Sequence, residues 1–173
     1  MKSQIIQVVV FIALLAMIFS GVRATIESRQ VDQTSMVPTL HPGDRLVVVK
    51  AAYWFSEPAR GDVIIISSDW QPQRGALVKR IIGLPGDMIE CKDGVVHING
   101  SPLAEPYVQG TTYDFNATVP AECYFVMGDN RQGSEDSRVF GPVPRQYIIG
   151  RVCLRYWPLS TWHLFHGVSY STS

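Results

Sequence analysis

The stretch "MIECKDGVVHINGSPL", Met88–Leu103, determines the fold class that the sequence predicts. It contains two turn-forming dipeptides, Asp93-Gly94 and Asn99-Gly100, each at the end of a short apolar run. Asp-Gly and Asn-Gly favour two-residue hairpin turns, because both central positions of such a turn need a positive φ. The stretch therefore predicts consecutive antiparallel strands, the first two being Met88–Lys92 and Val95–Ile98.

Similar short runs rich in β-branched residues recur along the chain, separated by 14 Gly and 11 Pro residues. After the N-terminal segment, no helical periodicity extends beyond about two turns. The pattern predicts a mainly β fold, either a coiled antiparallel sheet or a small barrel, with Ser101–Ala121 as surface loop and hairpin. The other predicted strands are Arg45–Lys50, Asp62–Ser67, Ala76–Ile82, Tyr124–Met127 and Tyr147–Leu154.

The N-terminal segment Ile5–Val22 contains no charged residue. As a helix rising about 1.5 Å per residue it spans roughly 27 Å, close to the thickness of a bilayer core. An uncleaved anchor is favoured over a removed signal peptide, because Val22-Arg23-Ala24 is a poor small-x-small cleavage site. We therefore expect one membrane-spanning helix over residues 1–24 and a β domain over residues 25–173. Basic residues on the two sides of the segment nearly balance, which leaves the orientation open.

The overall composition excludes several classes of partner and site. The 173 residues are 46% hydrophobic, which suits one domain with an apolar core. The net charge is zero and no basic tract is present, so no nucleic acid partner is expected. The three cysteines lie far apart and the four histidines form no ligand cluster with them, so we expect no metal and no cofactor. Pairing of Cys91, Cys123 or Cys153 in a disulfide stays open.

Three stretches carry side chains typical of nucleophilic catalysis. The first, "VDQTSMVPTLHPGDRL" or Val31–Leu46, holds Ser35 close behind the apolar segment. Pro38 and Pro42 disfavour a helix there, so we expect Ser35 on an extended, strand-like rim. A serine needs a base before it can attack a carbonyl, and the question is which residue supplies one.

The second stretch, "ALVKRIIGLPGD" or Ala76–Asp87, places Lys79 inside an apolar strand. One interpretation is a lysine on an edge strand whose ammonium reaches solvent. The other is a desolvated lysine, because burial lowers the pKa of an amine and a neutral amine can accept a serine proton. Serine–lysine pairs are a known variant of the serine–histidine arrangement.

The third stretch, "MGDNRQGSEDSR" or Met127–Arg138, gathers polar and charged residues in one loop after an apolar strand. It fits a polar surface loop, but loops that follow rigid strands also commonly carry functional groups. A neutral lysine base needs a partner without charge, such as a serine hydroxyl. We therefore expect Asp136 to pair with an arginine, since a carboxylate beside Lys79 would raise the pKa of the amine.

Together the motifs "SMVPTL", "KRIIGLPGD" and "GDNRQGSEDSR", in this order behind an apolar segment, resemble those of type I signal peptidases. The resemblance covers residues 5–155 and implies a serine endopeptidase with Ser35 as nucleophile and Lys79 as general base. It further implies that Ser134 orients the lysine and that Asp136 and Arg138 form a supporting ion pair.

One position departs from the family pattern. Some members carry a serine two residues before the nucleophile, which contributes to the oxyanion hole, and this chain has Gln33 there. We expect the oxyanion donors to be the Ser35 N–H and either the Gln33 amide or another donor. A single such donor can contribute about 2.7–4 kcal/mol to transition-state stabilisation.

The resemblance also implies the substrate and the location. The expected substrates are secretory preproteins with small-x-small cleavage sites, and the expected enzyme is a single-pass protein of the cell membrane. We expect it to contact the lipid bilayer, with its catalytic domain on the extracytoplasmic face. Four apolar residues beside the two motifs are expected to line narrow substrate pockets: Val31, Met36, Leu40 and Val78.

Other functions remain possible on the sequence alone. One is a different serine–lysine enzyme, such as a self-cleaving repressor-type protease, although the chain has no region resembling a DNA-binding domain. Another is a conjugation-linked or mitochondrial inner-membrane relative with the same reaction and other substrates. A third, from a different class, is a membrane-anchored β module that binds peptides without cleaving them.

Overall fold

The computed structural model describes residues 2–165, except for the side chains of residues 2, 3, 5, 8, 18 and 22. One long helix, α1 (Lys2–Thr25), precedes a region of short strands. The boundary predicted at residue 24 lies one residue before the end of α1, and residues 166–173 of the predicted β domain, with His166, lie outside the description. Among the described residues, no helix combines the length and the apolar character that a membrane span requires.

Twelve strands and one short second helix follow α1 within the described residues. The strands before the third sequence motif are β1 (Ile26–Gln30), β2 (Arg45–Val49), β3 (Val63–Ile66), β4 (Leu77–Gly83), β5 (Met88–Lys92), β6 (Val95–Ile98), β7 (Ser101–Pro102), β8 (Phe115–Thr118) and β9 (Cys123–Met127). After them come α2 (Ser137–Phe140), β10 (Val143–Pro144), β11 (Ile148–Trp157) and β12 (His163–Leu164). Short 3-10 turns lie at Lys50–Tyr53, Pro72–Arg74, Arg145–Tyr147 and Leu159–Thr161.

The strands form two antiparallel sheets, which confirms the predicted mainly β class. The larger has eight strands in the order β1-β2-β11-β3-β4-β9-β10, with β12 on β11, and the smaller has the order β7-β6-β5-β8. Each order has two ends, so neither sheet closes into a barrel, and of the two predicted architectures the antiparallel sheet is the one observed. Strand β4 is internal, with Ile64 of β3 opposite Lys79 and Met127 of β9 opposite Arg80.

Both predicted hairpin turns are present. Lys92 pairs with Val95 across Asp93-Gly94, and Ile98 pairs with Ser101 across Asn99-Gly100. All four turn residues have positive φ, from 51° to 84°, as two-residue turns of this type require.

Four strands were missed from the sequence, two of them the two-residue strands β10 and β12. Phe115–Thr118, in the segment expected as surface loop and hairpin, pairs with β5 and completes the smaller sheet as β8. Ile26–Gln30 pairs with β2 as β1. Both are edge strands with alternating exposure, and their polar residues carry little of the apolar signal that marks an internal strand.

The two faces of β3 pack into different parts of the core. Ile64 and Ile66 lie in a cluster with Leu77 and Ile81 of β4. Val63 and Ile65 lie in a second cluster, which also contains Val31, Met36 and Leu40 from the loop after β1. This alternation follows from the two-residue period of a strand. By the same period in β4, Lys79 lies on the same face as Leu77 and Ile81.

Gly150 in β11 lies against the backbone at the end of β2, and only a residue without a side chain fits there. A Cβ atom there would lie 2.7 Å from the Val49 carbonyl oxygen and 2.9 Å from Lys50 Cα, both backbone atoms. Neither can move without shifting the strand or turn that contains it.

We predict that Gly150→Ala lowers the free energy of unfolding by about 1–3 kcal/mol, the usual cost of overpacking a core. Denaturant unfolding in detergent measures the change. Gly21→Ala is the matched control, because its added methyl group meets no atom within 4 Å. An unchanged unfolding midpoint for Gly150→Ala would contradict the close packing described here.

Candidate active site

Ser35 lies in a turn between β1 and β2, and not on the extended rim that the two prolines suggested. The Val37 N–H donates to the Thr34 carbonyl at 3.2 Å, and the Leu40 N–H donates to the Met36 carbonyl at 2.8 Å. Proline lacks only its own N–H. Since both turn hydrogen bonds use the N–H of other residues, Pro38 is compatible with the turn.

The side chains around Ser35 fix the turn to the core. Met36 and Leu40 are fully buried in the cluster that also contains Val31. Ser35 itself is 6% exposed, and its hydroxyl makes no hydrogen bond to any described residue. The apolar neighbours therefore set the position of the serine while its oxygen stays unpaired.

Lys79 is buried in the internal strand β4, with 1% of its surface exposed. This burial contradicts the alternative of an edge lysine that reaches solvent. Its ammonium makes no hydrogen bond or ion pair within residues 2–165. Burial lowers the pKa of Lys79 to about 8, because desolvation penalises the charged form.

Two buried carboxylates near Lys79 oppose this shift, since the charges of Asp136 and Asp129 raise the pKa of the amine. Each of them is paired with an arginine. Arg138 contacts Asp136 at 2.8 Å, the ion pair expected from the sequence. Arg80 contacts both oxygens of Asp129, at 2.9 and 2.7 Å. Arg138 also lowers the pKa of Lys79 by its own charge.

The loop that contains Asp136 is organised around that carboxylate. Asp136 is fully buried and accepts hydrogen bonds from the Gly128 N–H at 2.9 Å and from the Arg138 N–H at 3.3 Å. Arg138 in turn donates to the Arg131 carbonyl at 2.8 Å. Removing one partner of a buried ion pair typically costs about 3–5 kcal/mol, so this network is a main determinant of the loop conformation.

Ser134 lies in the same loop with 9% of its surface exposed, and its hydroxyl oxygen has no hydrogen-bond partner within the described part of the chain. Gly128 separates it from the turn that carries Ser35. A Cβ atom on Gly128 would lie 2.3 Å from Ser134 Oγ and 2.3 Å from the Ser35 carbonyl oxygen. Only glycine allows the serine turn and the Ser134 loop to approach this closely.

Ser35 and Lys79 both line one cavity of about 480 Å³. Gln33, Gly133 and Glu135 line it too, so the cavity reaches the residues on either side of Ser134, although Ser134 itself is not part of its wall. The remaining lining residues are Asp32, Thr34, Gln73, Arg74 and Leu77.

A second cavity of about 350 Å³ shares Asp32, Gln33, Arg74 and Leu77 with the first, and Val78 lines it. Val78 is the only one of the four predicted pocket residues that lines either cavity. The other three, Val31, Met36 and Leu40, are core residues with at most 2% exposure. Whether they shape a substrate pocket from within the core stays a prediction.

Several residues of the site were not assigned a role from the sequence. Asn130 and Asp129 were recognised only as part of a polar loop, and Arg80 only as a neighbour of Lys79. Thr39 Oγ1 donates to Asp129 at 2.5 Å, so the Asp129–Arg80 pair also holds the serine turn. Long-range pairs of this kind leave no local signal in one sequence. Within residues 2–165, no group of three or more potential ligand side chains could hold a metal.

A serine hydroxyl and an unpaired amine with a pKa of about 8, on the wall of one cavity, are the groups that a serine–lysine hydrolase requires. The backbone N–H of Ser35 is also available, since it donates to no described residue. These three groups can supply a nucleophile, a base and an oxyanion donor.

Comparison with known proteins gives a consistent result. The family model "Signal peptidase, peptidase S26" matches residues 3–157. A signal peptidase I from Leptolyngbya laminosa is 42% identical over 81% of this chain and 73% of its own length. A signal peptidase I from Bacillus licheniformis is 38% identical over 92% of this chain and 88% of its own.

Among solved structures, a signal peptidase I from Enterococcus faecalis V583 is 38% identical, with a TM-score of 0.49 over 56% of this chain and 97% of that chain. The family assignment is carried by the sequence matches, which extend from the N-terminal helix to the end of β11. The protein therefore belongs to the type I signal peptidase family, peptidase S26.

Proposed function

We propose that the protein is a serine endopeptidase that removes N-terminal signal peptides from exported preproteins, with Ser35 as nucleophile and Lys79 as general base. The observation that carries the proposal is the cavity that both side chains line, together with the lowered pKa of Lys79. The similarity to signal peptidases I supports the substrate class.

In the first half of the proposed reaction, the neutral Lys79 amine accepts the proton of the Ser35 hydroxyl. Ser35 Oγ then attacks the scissile carbonyl carbon, and the negative oxygen of the tetrahedral intermediate accepts a hydrogen bond from the Ser35 N–H. Gln33 lines the same cavity and is proposed as the second oxyanion donor. When the intermediate collapses, the C–N bond breaks and the Lys79 ammonium protonates the leaving amine.

In the second half, Lys79 accepts a proton from water, and the resulting hydroxide attacks the acyl-serine ester. The ester bond to Ser35 Oγ breaks, the serine regains its proton from Lys79, and the signal peptide leaves with a free carboxylate. Ser134 is proposed to orient the amine in both halves. Its buried hydroxyl has no partner among the described residues, and its two chain neighbours line the cavity.

The proposed role of Asp136 and Arg138 is support of that loop. Their ion pair neutralises a carboxylate that would otherwise raise the pKa of Lys79 more strongly. It also holds Gly128 through the Asp136 carboxylate, and so holds the contact between the loop and the serine turn.

We further propose that α1 anchors the enzyme in the membrane as a single span, with the domain after it on the extracytoplasmic face. Ile5–Val22 contains no charged residue, and that segment includes positions 5, 8, 18 and 22, whose side chains are outside the description. Apolar side chains along the helix are exposed, among them Phe11 at 62% and Met17 at 69%. An exposed apolar helix of this kind is stable in contact with lipid.

The first prediction concerns the nucleophile. Ser35→Ala should abolish cleavage of a preprotein in detergent, because it removes the oxygen proposed to attack the scissile carbonyl, while the far-UV circular dichroism stays unchanged. Activity is measured by gel or mass spectrometry of the mature product. Activity within tenfold of the unmodified enzyme would refute the assignment, and a peptide-binding module without activity would show no cleavage in either form.

The second prediction concerns the protonation of Lys79. Since only the free amine accepts a proton, kcat/KM should rise with pH through an apparent pKa of about 8 and level off above it. One pH unit below that pKa only about a tenth of the amine is neutral. Lys79→Arg should be inactive over the whole range, because guanidinium stays protonated. An active arginine variant, or a rate independent of pH between about 6 and 9, would contradict the role.

The third prediction concerns the cleavage site. The two adjoining cavities have volumes of about 480 and 350 Å³, and we propose that they accept small side chains directly before the cut and two residues earlier. A leucine directly before the cut must displace packed atoms, which typically costs about 1–3 kcal/mol and corresponds to roughly a tenfold to hundredfold loss of rate. Mass spectrometry of products from a preprotein with Ala-x-Ala and from its leucine variant measures the difference. Equal cleavage of both would show that the pockets do not set the specificity.

A further inference from the structure

One residue outside the proposed dyad holds the backbone on both sides of Ser35. The backbone N–H of Asn130 donates to the Ser35 carbonyl at 3.1 Å. The side-chain Nδ2 of Asn130 donates to the Thr34 carbonyl at 3.3 Å. The two peptide groups that flank the serine are therefore both fixed by Asn130.

The orientation of the Asn130 side chain is set by a third contact. The Gly133 N–H donates to Asn130 Oδ1 at 3.1 Å. Because an N–H needs the amide oxygen and a carbonyl needs the amide nitrogen, these two partners fix the amide in one orientation. Asn130 thus joins the serine turn to the residue that precedes Ser134.

The contact with Thr34 has a direct geometric consequence at Ser35. The Thr34 carbonyl and the Ser35 N–H belong to the same peptide unit, which is planar and trans. In such a unit the C=O and N–H bonds point in opposite directions. The Thr34 carbonyl also accepts the turn hydrogen bond from the Val37 N–H at 3.2 Å, and Asn130 adds a second donor from outside the turn. By holding the carbonyl, Asn130 contributes to fixing the direction of the Ser35 N–H, which donates to no described residue.

We propose that Asn130 is a positioning residue for the oxyanion hole, which acts by fixing the peptide that carries the Ser35 N–H donor. The inference rests on the proposed function, in which that N–H binds the negative oxygen of the tetrahedral intermediate. A hydrogen bond to the carbonyl end of a peptide also polarises its N–H end, so the contact strengthens the donor as well as orienting it.

The contact contributes little to the stability of the fold. Asn130 is half-buried, and its bond to Thr34 is accessible to solvent. Its backbone bond to Ser35 does not depend on the side chain and remains in any substitution. A substitution can therefore remove the orienting bond while the loop stays folded.

The test compares Asn130→Ala and Asn130→Asp with a control at the exposed neighbour Gln132, Gln132→Ala. Asn130→Asp keeps the acceptor for Gly133 but directs an oxygen at the Thr34 carbonyl, so it loses the donor and adds repulsion. Full-length enzyme in detergent is assayed with a preprotein and with a peptide aldehyde that ends in alanine. The aldehyde forms a tetrahedral adduct with Ser35, and the oxygen of that adduct occupies the oxyanion hole.

We expect kcat to fall about tenfold to hundredfold in Asn130→Ala, a part of the roughly 10²–10³ that a lost oxyanion donor costs, and to fall at least as far in Asn130→Asp. KM and the apparent pKa of the pH profile should stay unchanged. The inhibition constant of the aldehyde should rise by the same factor as kcat falls. Gln132→Ala should match the unmodified enzyme in all of these measurements.

Four results would overturn the inference. The first three are kcat within threefold of the unmodified enzyme in both Asn130 variants, a loss expressed in KM alone, and aldehyde affinity that does not follow kcat. The fourth is a lowered unfolding midpoint that accounts for the lost activity. Full activity of Ser35→Ala is a different outcome, which refutes the proposed nucleophile and not the orienting contact of Asn130.

Discussion

The active site depends on one electrostatic constraint: the amine of Lys79 must be buried without a carboxylate partner. Burial alone lowers the pKa of an amine, whereas a nearby carboxylate restores the charge. Asp129 and Asp136 are both fully buried near this amine and both raise its pKa. Each carboxylate is paired with an arginine: Asp129 with Arg80 and Asp136 with Arg138. The two ion pairs keep the loops in place and at the same time leave the lysine unpaired.

The same ion pairs also connect the parts of the site. Asp129 binds Arg80 of β4 and Thr39 of the serine turn. Asp136 binds Arg138 and the N–H of Gly128, which lies between Ser35 and Ser134. Three segments that are distant in the sequence are therefore joined by buried charges and by one glycine contact. Replacing one member of such a network alters both the loop geometry and the charge that Lys79 experiences.

The extent to which sequence reasoning succeeded follows the range of the interactions. The two hairpins of the smaller sheet were predicted because Asp93-Gly94 and Asn99-Gly100 determine their turns locally. Burial of Lys79 was left between two alternatives, since the apolar run of β4 is compatible with an edge strand or an internal one. Only the pairing of β4 with both β3 and β9 decides between them.

Features that depend on tertiary contacts were predicted less well from the sequence. The extended rim expected at Ser35 is a turn, because packing of Met36 and Leu40 in the core outweighs the preference that the prolines suggest. The sequence did not show that Val31, Met36 and Leu40 are buried in the core, because their burial depends on packing against distant strands. The contact between Asn130 and Thr34 joins residues 96 positions apart and has no local signature in the sequence.

The adjacency of Lys79 and Arg80 in one strand has a further consequence. Successive side chains of a strand point to opposite faces, so the titratable cation lies on one side of β4 and the permanent cation on the other. A slip of β4 by one residue against its neighbours would exchange them. Guanidinium, which cannot act as a base, would then replace the amine on the catalytic face, and the amine would meet Asp129 and stay charged. A slipped register would therefore leave the site without a base, because neither residue 79 nor residue 80 would then present a neutral amine. The length of the loops flanking β4 is thus constrained by chemistry as well as by packing.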